Sequence, residues 1–413
     1  MTFGAPARPA LVLGASVLGI FVGFGSLVIF SFGVFLKPVS AEFGWTRTQA
    51  SLGFTLAALT VAASSPFLGR ITDRIGPRRV LLPCVSVYAA ALAALAFVHS
   101  LAAYYALYIA LGLVGNGTAH LCYARIVSSW FDRRRGAALA TVMAGAAAGA
   151  ILMPPLATAL IAHFGWRSAY LLLAASVVTL GLLPAALFVH DAPTRGQGSG
   201  TSPSHPRHPG VTGLSAARSS AFWLLLAGFF LFSASVNGCV AHLIPLLTDR
   251  SITADTAALA ASLLGIFTLA GRLLTGALLD RLPAPPLTTG FFTIAAIGVA
   301  ILSSAHTRDT AFLGASLTGL GMGAEADVLP YLISRYFGLR SFTEIYGYAF
   351  TSYAIAGALG PLLMGWGFDE WHSYLIPTRI LAAAMLAGAM ILALLPRNIP
   401  TNSTEPATLP LAA

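Results

Sequence analysis

Twelve times along the chain, an apolar run long enough to cross a bilayer is followed by a short polar connection. The runs fall near 10–36, 48–68, 80–98, 102–129, 136–162 and 168–189, and again near 221–247, 256–279, 287–305, 310–334, 345–366 and 374–395. A helix needs about 20 mostly apolar residues to traverse the hydrocarbon core. Inside lipid no water satisfies the peptide groups, so each run has to close its hydrogen bonds within itself, as a helix does. The expected fold class is all-α integral membrane, with twelve transmembrane helices. Charge agrees: only 9% of the 413 residues are charged, against about a quarter in a soluble domain, too few to cover a water-facing surface. The first run exceeds the roughly 7–15 residues of a signal-peptide core and reads as a retained helix.

Between the sixth and seventh runs, residues 190–218 are rich in Gly, Ser, Pro and His and read as a flexible linker. The chain divides accordingly into an N-terminal six-helix bundle (1–189), the linker (190–218), a C-terminal six-helix bundle (219–396) and a disordered tail (397–413). Basic residues set the orientation, because cytoplasmic loops carry the excess of Lys and Arg. With both termini in the cytoplasm, the inside receives fifteen arginines and the outside only Lys37, Arg47, Arg167, Arg250, Arg308 and Arg379. The net charge of +9 is thus spread over loops, and no nucleic-acid partner is expected. Cys84, Cys122 and Cys239 all fall inside apolar runs, where they read as small apolar residues rather than a disulfide or metal framework. No cofactor or metal is expected.

The two halves repeat one another. Gly69 followed by Asp73-Arg74, after the second run, has its counterpart in Gly276 followed by Asp280-Arg281, after the eighth. Trp130-Phe131 with Arg134 returns as Tyr336-Phe337 with Arg340. Two related bundles about a pseudo-twofold axis place a substrate site at their interface, near the bilayer midplane.

The segment Gly69-Arg70-Ile71-Thr72-Asp73-Arg74-Ile75-Gly76-Pro77-Arg78-Arg79 resembles the signature loop between helices 2 and 3 of the major facilitator superfamily. The resemblance implies the major facilitator fold, two pseudo-symmetric six-helix bundles. It also implies a conformational gate, in which the acid caps a neighbouring helix and pairs with arginines across the interface, locking the outward-facing state. Its residues here are Gly69, Asp73, Arg74, Gly76 and Arg78, with Gly276, Asp280 and Arg281 in the repeat. Membrane anchoring by positive charge explains the arginines but not the repeated Gly-Asp-Arg spacing.

Further stretches resemble the branch that contains monocarboxylate transporters and oxalate–formate antiporters: Phe32-Gly33-Val34-Phe35-Leu36-Lys37-Pro38, Phe43-Gly44-Trp45-Thr46-Arg47, Trp130-Phe131 with Arg134-Arg135-Gly136, and Gly165-Trp166-Arg167. That branch implies alternating access and an arginine on helix 8 that binds an organic carboxylate; Arg272, four residues before Gly276, holds that place. The residue type has its own logic. A guanidinium in the hydrocarbon region is kept where it faces a cavity or a partner, and its planar fork suits a carboxylate. The competing reading is a structural ion pair with an acidic neighbour. The branch's animal members carry a proton-accepting lysine on helix 1 and an aspartate before the helix 8 arginine; here Phe30 and Thr268 stand there, and no lysine follows Lys37. One intramembrane cation in the second half suits one carboxylate better than two.

Proton coupling then has to come from other groups. Glu325 and Asp327 on helix 10, with His120 and His242 on helices 4 and 7, are the candidates. Glu325 and Asp327, two residues apart, point to roughly opposite sides of their helix. Asn116, His120 and Tyr123 recur at helical spacing and so share a face of helix 4; if that face lines the cavity they are, with Tyr331 and Tyr353, candidate substrate-binding residues beside Arg272. Gly145 and Gly149 on helix 5, and Gly357 and Gly360 on helix 11, permit close helix contact.

The expected function is a secondary active transporter, a proton-linked symporter of a small monocarboxylate such as lactate or pyruvate. An organic anion antiporter or other carboxylate carrier is the alternative within the class, and a non-transporting membrane receptor the alternative outside it. No nucleophile–base motif, phosphate loop or metal cluster points to an enzyme. The expected setting is a plasma membrane, that of a bacterial inner membrane, with a monomer whose partners are a small organic anion, protons and the lipid bilayer.

Overall fold

A computed structural model describes residues 7–131, 135–189, 211–279, 281–338 and 341–396. Arg134, Asp280 and Arg340, and the side chains of Asp73, His120 and Asp327, lie outside the described residues. The described chain forms twelve helical rods. α1 is assembled from Ala7–Phe21, the π-turn Gly25–Ile29 and Phe32–Phe43; α2 is Arg47–Ile75, α3 is Pro77–Leu95, and α4 joins Leu101–Gly115 to His120–Trp130. The element Arg135–Ser176 is two rods, because Gly165 (φ 78°, ψ 161°) turns α5 into α6 in a conformation that glycine adopts at little cost. α6 continues through Val177–Leu182 and Leu183–Phe188. In the second half α7 is Ser220–Thr248, α8 Ala254–Leu279, α9 Ala284–Ser303, α10 Arg308–Phe337, α11 Phe342–Trp371 and α12 Leu375–Ala393.

Local signals start the rods. Thr46 and Gln49 exchange side-chain and backbone hydrogen bonds at the head of α2, and Thr307 and Thr310 do the same for α10. By length and composition, seven stretches of the described residues are apolar enough to cross a membrane, one of them, Thr141–Phe188, covering both α5 and α6. The long rods α2, α10 and α11 are not among them. They carry polar groups that face protein, such as Ser51, Thr55 and Glu325, all buried. Elsewhere large apolar side chains stand exposed, including Phe67, Phe97, Leu187 and Leu273, as surfaces that meet acyl chains require.

With no hydrophobic drive between helices in lipid, close approach at small residues does the packing. A Cβ on Gly145 would lie 2.6 Å from the Val17 carbonyl oxygen, and one on Gly360 only 2.0 Å from that of Ala234. These glycines hold α5 against α1 and α11 against α7. Phe232 and Phe292 stack at 3.6 Å between α7 and α9.

Three sequence expectations need correction. The run 102–129 is not one helix: α4 stops at Gly115 and restarts at His120, where Gly115, Asn116 and Gly117 weaken the helix. The first run is likewise interrupted between Phe21 and Gly25. And residues 211–218, the end of the expected flexible linker, are ordered: Thr212 caps the short helix Gly213–Ala217, and Val211 N donates to the Phe337 carbonyl at 2.9 Å.

Candidate functional site

The two halves meet through a dense set of polar contacts where α1 passes into α2. Asp249, just beyond α7, takes Lys37 Nζ at 2.6 Å and Arg47 Nη1 at 2.7 Å, both from the first half. Asp369 on α11 accepts the backbone N–H groups of Arg47 and Thr48 at 3.0 and 2.8 Å, and the Thr48 hydroxyl as well. It thus caps the start of α2 from the opposite half, where a carboxylate meets both orphan N–H groups and the helix dipole. The Arg47 guanidinium lies 3.6 Å over the Phe368 ring and donates to the Tyr374 hydroxyl at 2.6 Å. Burial works to raise the Asp249 carboxyl, but the bonds from Arg47 and Lys37 outweigh it and hold it below the usual carboxylate range. Asp369 lies beyond the span 345–366; burial again pushes upward, and its bonds to Thr48 and to the Arg47 backbone win.

His242 completes this cluster. It is fully buried, with Nδ1 2.8 Å from the Tyr374 hydroxyl and Nε2 2.9 Å from the Pro361 carbonyl and 3.0 Å from Ser51 Oγ. A carbonyl only accepts, so Nε2 carries the proton and Nδ1 accepts from Tyr374, whose oxygen accepts from Arg47. Both ring nitrogens are engaged. One turn further on, Thr55 Oγ1 donates to the Ala358 carbonyl at 2.7 Å, and Ser262 on α8 donates to that of Ile151 on α5 at 2.6 Å.

The faces that make these contacts change character along their length. On α8, Ala258, Ser262 and Gly265 share a stripe and are buried, the last two against α5; the same stripe continues as Leu269, Arg272 and Gly276, all exposed. On α11, Gly365 and Ala358 are buried toward the first half, while Thr351 and Gly347 on the same stripe are exposed. The halves are joined at one end and part toward the other. Arg272 sits just past the parting, on the stripe that faces the opposite half. Its backbone is fixed by α10, since a Cβ on Gly323 would lie 2.7 Å from Arg272 N and 2.1 Å from the Thr268 carbonyl oxygen.

The gate motif lies at the parted end. Gly76 (φ 92°) makes the turn from α2 into α3, Arg74 and Arg281 are exposed, and Arg78 donates to the Ala186 carbonyl of α6 at 2.9 Å. A Cβ on Gly69 or Gly276 would meet nothing within 4 Å. Asp73, as a side chain, and Asp280 lie outside the described residues.

The other candidates separate. Because α4 breaks between Asn116 and His120, the three-residue face Asn116–His120–Tyr123 does not form. Asn116 donates to Ser65 Oγ at 2.5 Å. Tyr123 is fully buried, its hydroxyl filling the space a Cβ on Gly19 would need, so it packs α4 on α1 and does not line a cavity. The His120 side chain lies outside the described residues. The break in α4 meets the break in α1, where Gly23 lets the backbone approach the Thr118 carbonyl; irregular backbone at such depth is tolerated where protein or a cavity covers it. Tyr331 is half-buried, with Arg335 6.0 Å over its ring. Tyr353 lies 3.5 Å from Glu325 Oε2.

The Arg47, Lys37, Asp249 and Asp369 cluster is absent from the sequence-based candidates. Lys37 and Arg47 enter there only as outer-loop charges and as members of the branch-like stretches, and nothing local pairs them with acids some 200 and 300 residues away in the other half.

The description "Major Facilitator Superfamily" matches residues 15–361 of the chain. Monocarboxylate transporter 11 of Mus musculus is 27% identical over 384 residues, covering 90% of this chain and 84% of its own. The MFS-type transporter YcxA of Bacillus subtilis is 26% identical, covering 84% of this chain and 85% of its own. Among solved structures, a bacterial homolog of the human lysosomal transporter Spinster, inward-facing and unoccupied, superposes with a TM-score of 0.70 over 94% of each chain at 16% identity.

Proposed function

The chain belongs to the major facilitator superfamily and is a multi-pass membrane transporter, and on that premise we propose that it carries a small monocarboxylate, of the lactate or pyruvate kind, together with protons. The position of Arg272 supports the substrate class. It is the cation of the second half's interface stripe, exposed where the halves part, and its fork pairs with a carboxylate through two parallel hydrogen bonds. The similarity to proteins named monocarboxylate transporters, over 90% of this chain, supports the same class.

With both termini in the cytoplasm, the joined end is the outer one and the arrangement is inward-facing. The Arg47–Asp249 and Thr48–Asp369 contacts then form the outer closure, and the gate motif lies at the parted, inner end. Alternating access exchanges these two sets of contacts around Arg272. A bacterial inner membrane is the setting this reading implies.

The test is a thermal-shift screen of the purified protein against mono- and dicarboxylates. A ligand that binds only the folded state stabilises it by about 2.7 kcal/mol at a hundredfold excess over Kd. A short monocarboxylate should raise the midpoint and its dicarboxylate analogue should not. A screen in which dicarboxylates or uncharged compounds alone stabilise the protein overturns the reading.

A further inference from the structure

Glu325 takes no part in the contacts that join the two halves, yet it is a carboxyl group only 2% exposed in the second half. Its Oε1 has no hydrogen-bond partner among the described residues, and its Oε2 has one long contact, 3.5 Å from the Tyr353 hydroxyl. The groups around it are neutral or turned away. From α11 it meets Tyr353. α7 brings Ser233 and Asn237, which bond each other and, through Ser233, the Tyr353 carbonyl; the titratable groups of α7 are the buried Cys239 and the fully engaged His242. α9 has no titratable residue. α8 carries Arg272, but its main chain lies against Gly323, and two residues along a helix Glu325 points to the far side of α10. On its own helix the Asp327 side chain lies outside the described residues.

An ionised carboxylate in this setting would be a buried, unpaired charge, far costlier than the single unmade hydrogen bond of the neutral acid. We infer that Glu325 is the proton-binding site of the transporter, holding its proton in this conformation with Tyr353 as its hydrogen-bond partner. The inference rests on the proposed proton-linked transport and assigns its proton to one of the four candidate groups. His242 is unsuited, because both ring nitrogens are already engaged, Nδ1 by the Tyr374 hydroxyl and Nε2 by the Pro361 carbonyl and Ser51. Tyr353 is only partly buried and stacks at 5.9 Å on the exposed Phe350. The proton on one side of α10 and Arg272 on the other are linked by one helix, held against α8 at Gly323. A shift of α8 on substrate release moves the backbone that carries Glu325.

Wild type and Glu325→Gln, reconstituted in lipid vesicles, test this with two readouts. The first compares carboxylate exchange at equal pH with accumulation driven by a pH gradient. The variant should keep exchange within about threefold and lose accumulation. The second is the infrared band of a protonated buried carboxyl, which should be present in wild type and missing in the variant. Wild-type accumulation by the variant, or an unchanged infrared band, overturns the assignment. If the variant transports nothing in either assay, the band decides alone: its loss supports the site and its persistence refutes it. A wild type that shows the Glu325 band but accumulates no carboxylate under any pH gradient refutes the transport reading and leaves the proton site standing.

Discussion

The guanidinium of Arg47 lies 2.7 Å from the carboxylate of Asp249 and ties the head of α2 to the foot of α7 across the two halves. Both side chains are mostly buried, at 13% and 24% exposure, so solvent screens the pair only in part. A charge-assisted hydrogen bond contributes about 1.5–3 kcal/mol. Arg47→Ala should therefore shift the joined end toward opening by roughly 10–100-fold. A cysteine at Ala358, buried against Thr55, reports it on a background lacking Cys84, Cys122 and Cys239: thiol labelling should rise in Arg47→Ala. Arg167→Ala, which removes a bond to Glu42 inside the first half, should leave labelling unchanged. Equal labelling in all three proteins would show that the pair does not hold the halves together.

The same pair predicts a pH dependence. The Asp249 carboxyl is held below its ordinary range, so its stabilising effect is complete above the unpaired value of about 4 and is lost only as pH falls through the depressed one. The difference in Ala358 cysteine labelling between wild type and Asp249→Asn should stay constant from about pH 8 to about pH 5. A difference that disappears near neutrality would mean that a group other than Asp249 controls the closure.

His242 gives a prediction that separates closure from coupling. His242→Phe removes the bonds to Ser51, Tyr374 and Pro361 and should loosen the joined end in the same labelling assay. It should still accumulate substrate under a pH gradient. Loss of accumulation with exchange intact would move the proton to His242.

Much of the fold was legible because lipid imposes so few solutions. Run length alone separates the twelve rods, and the Gly-Asp-Arg repeat divides them into halves. The interruptions of α1 and α4 were harder, since hydropathy barely registers a broken helix; the sequence Gly115-Asn116-Gly117-Thr118 was the signal, read as part of a continuous face. Arg272 stood out because a cation is rare in an apolar run. Lys37, Arg47, Asp249 and Asp369 did not, because each sits at a run's edge, where charge is ordinary. Their partnership is made only by tertiary contact.

Orientation is tested by labelling from outside. Ala305 at the α9–α10 turn is fully buried, so the exposed neighbour His306 is the better probe, set against Arg281 at the α8–α9 turn. On the background without native cysteines, His306→Cys should react with an impermeant thiol reagent in intact cells and Arg281→Cys only after permeabilisation. The reverse pattern would invert the topology and make the joined end cytoplasmic.

The most direct test of carboxylate transport through Arg272 is calorimetric titration of a stabilising monocarboxylate into wild type and Arg272→Lys. Lysine keeps the charge and loses the planar fork. Loss of about 1.5–3 kcal/mol would weaken binding by roughly one to two decades. Arg272→Ala should bind no carboxylate while still eluting as a single folded species. Wild-type affinity in Arg272→Lys and Arg272→Ala would contradict the assignment of Arg272 as the carboxylate anchor.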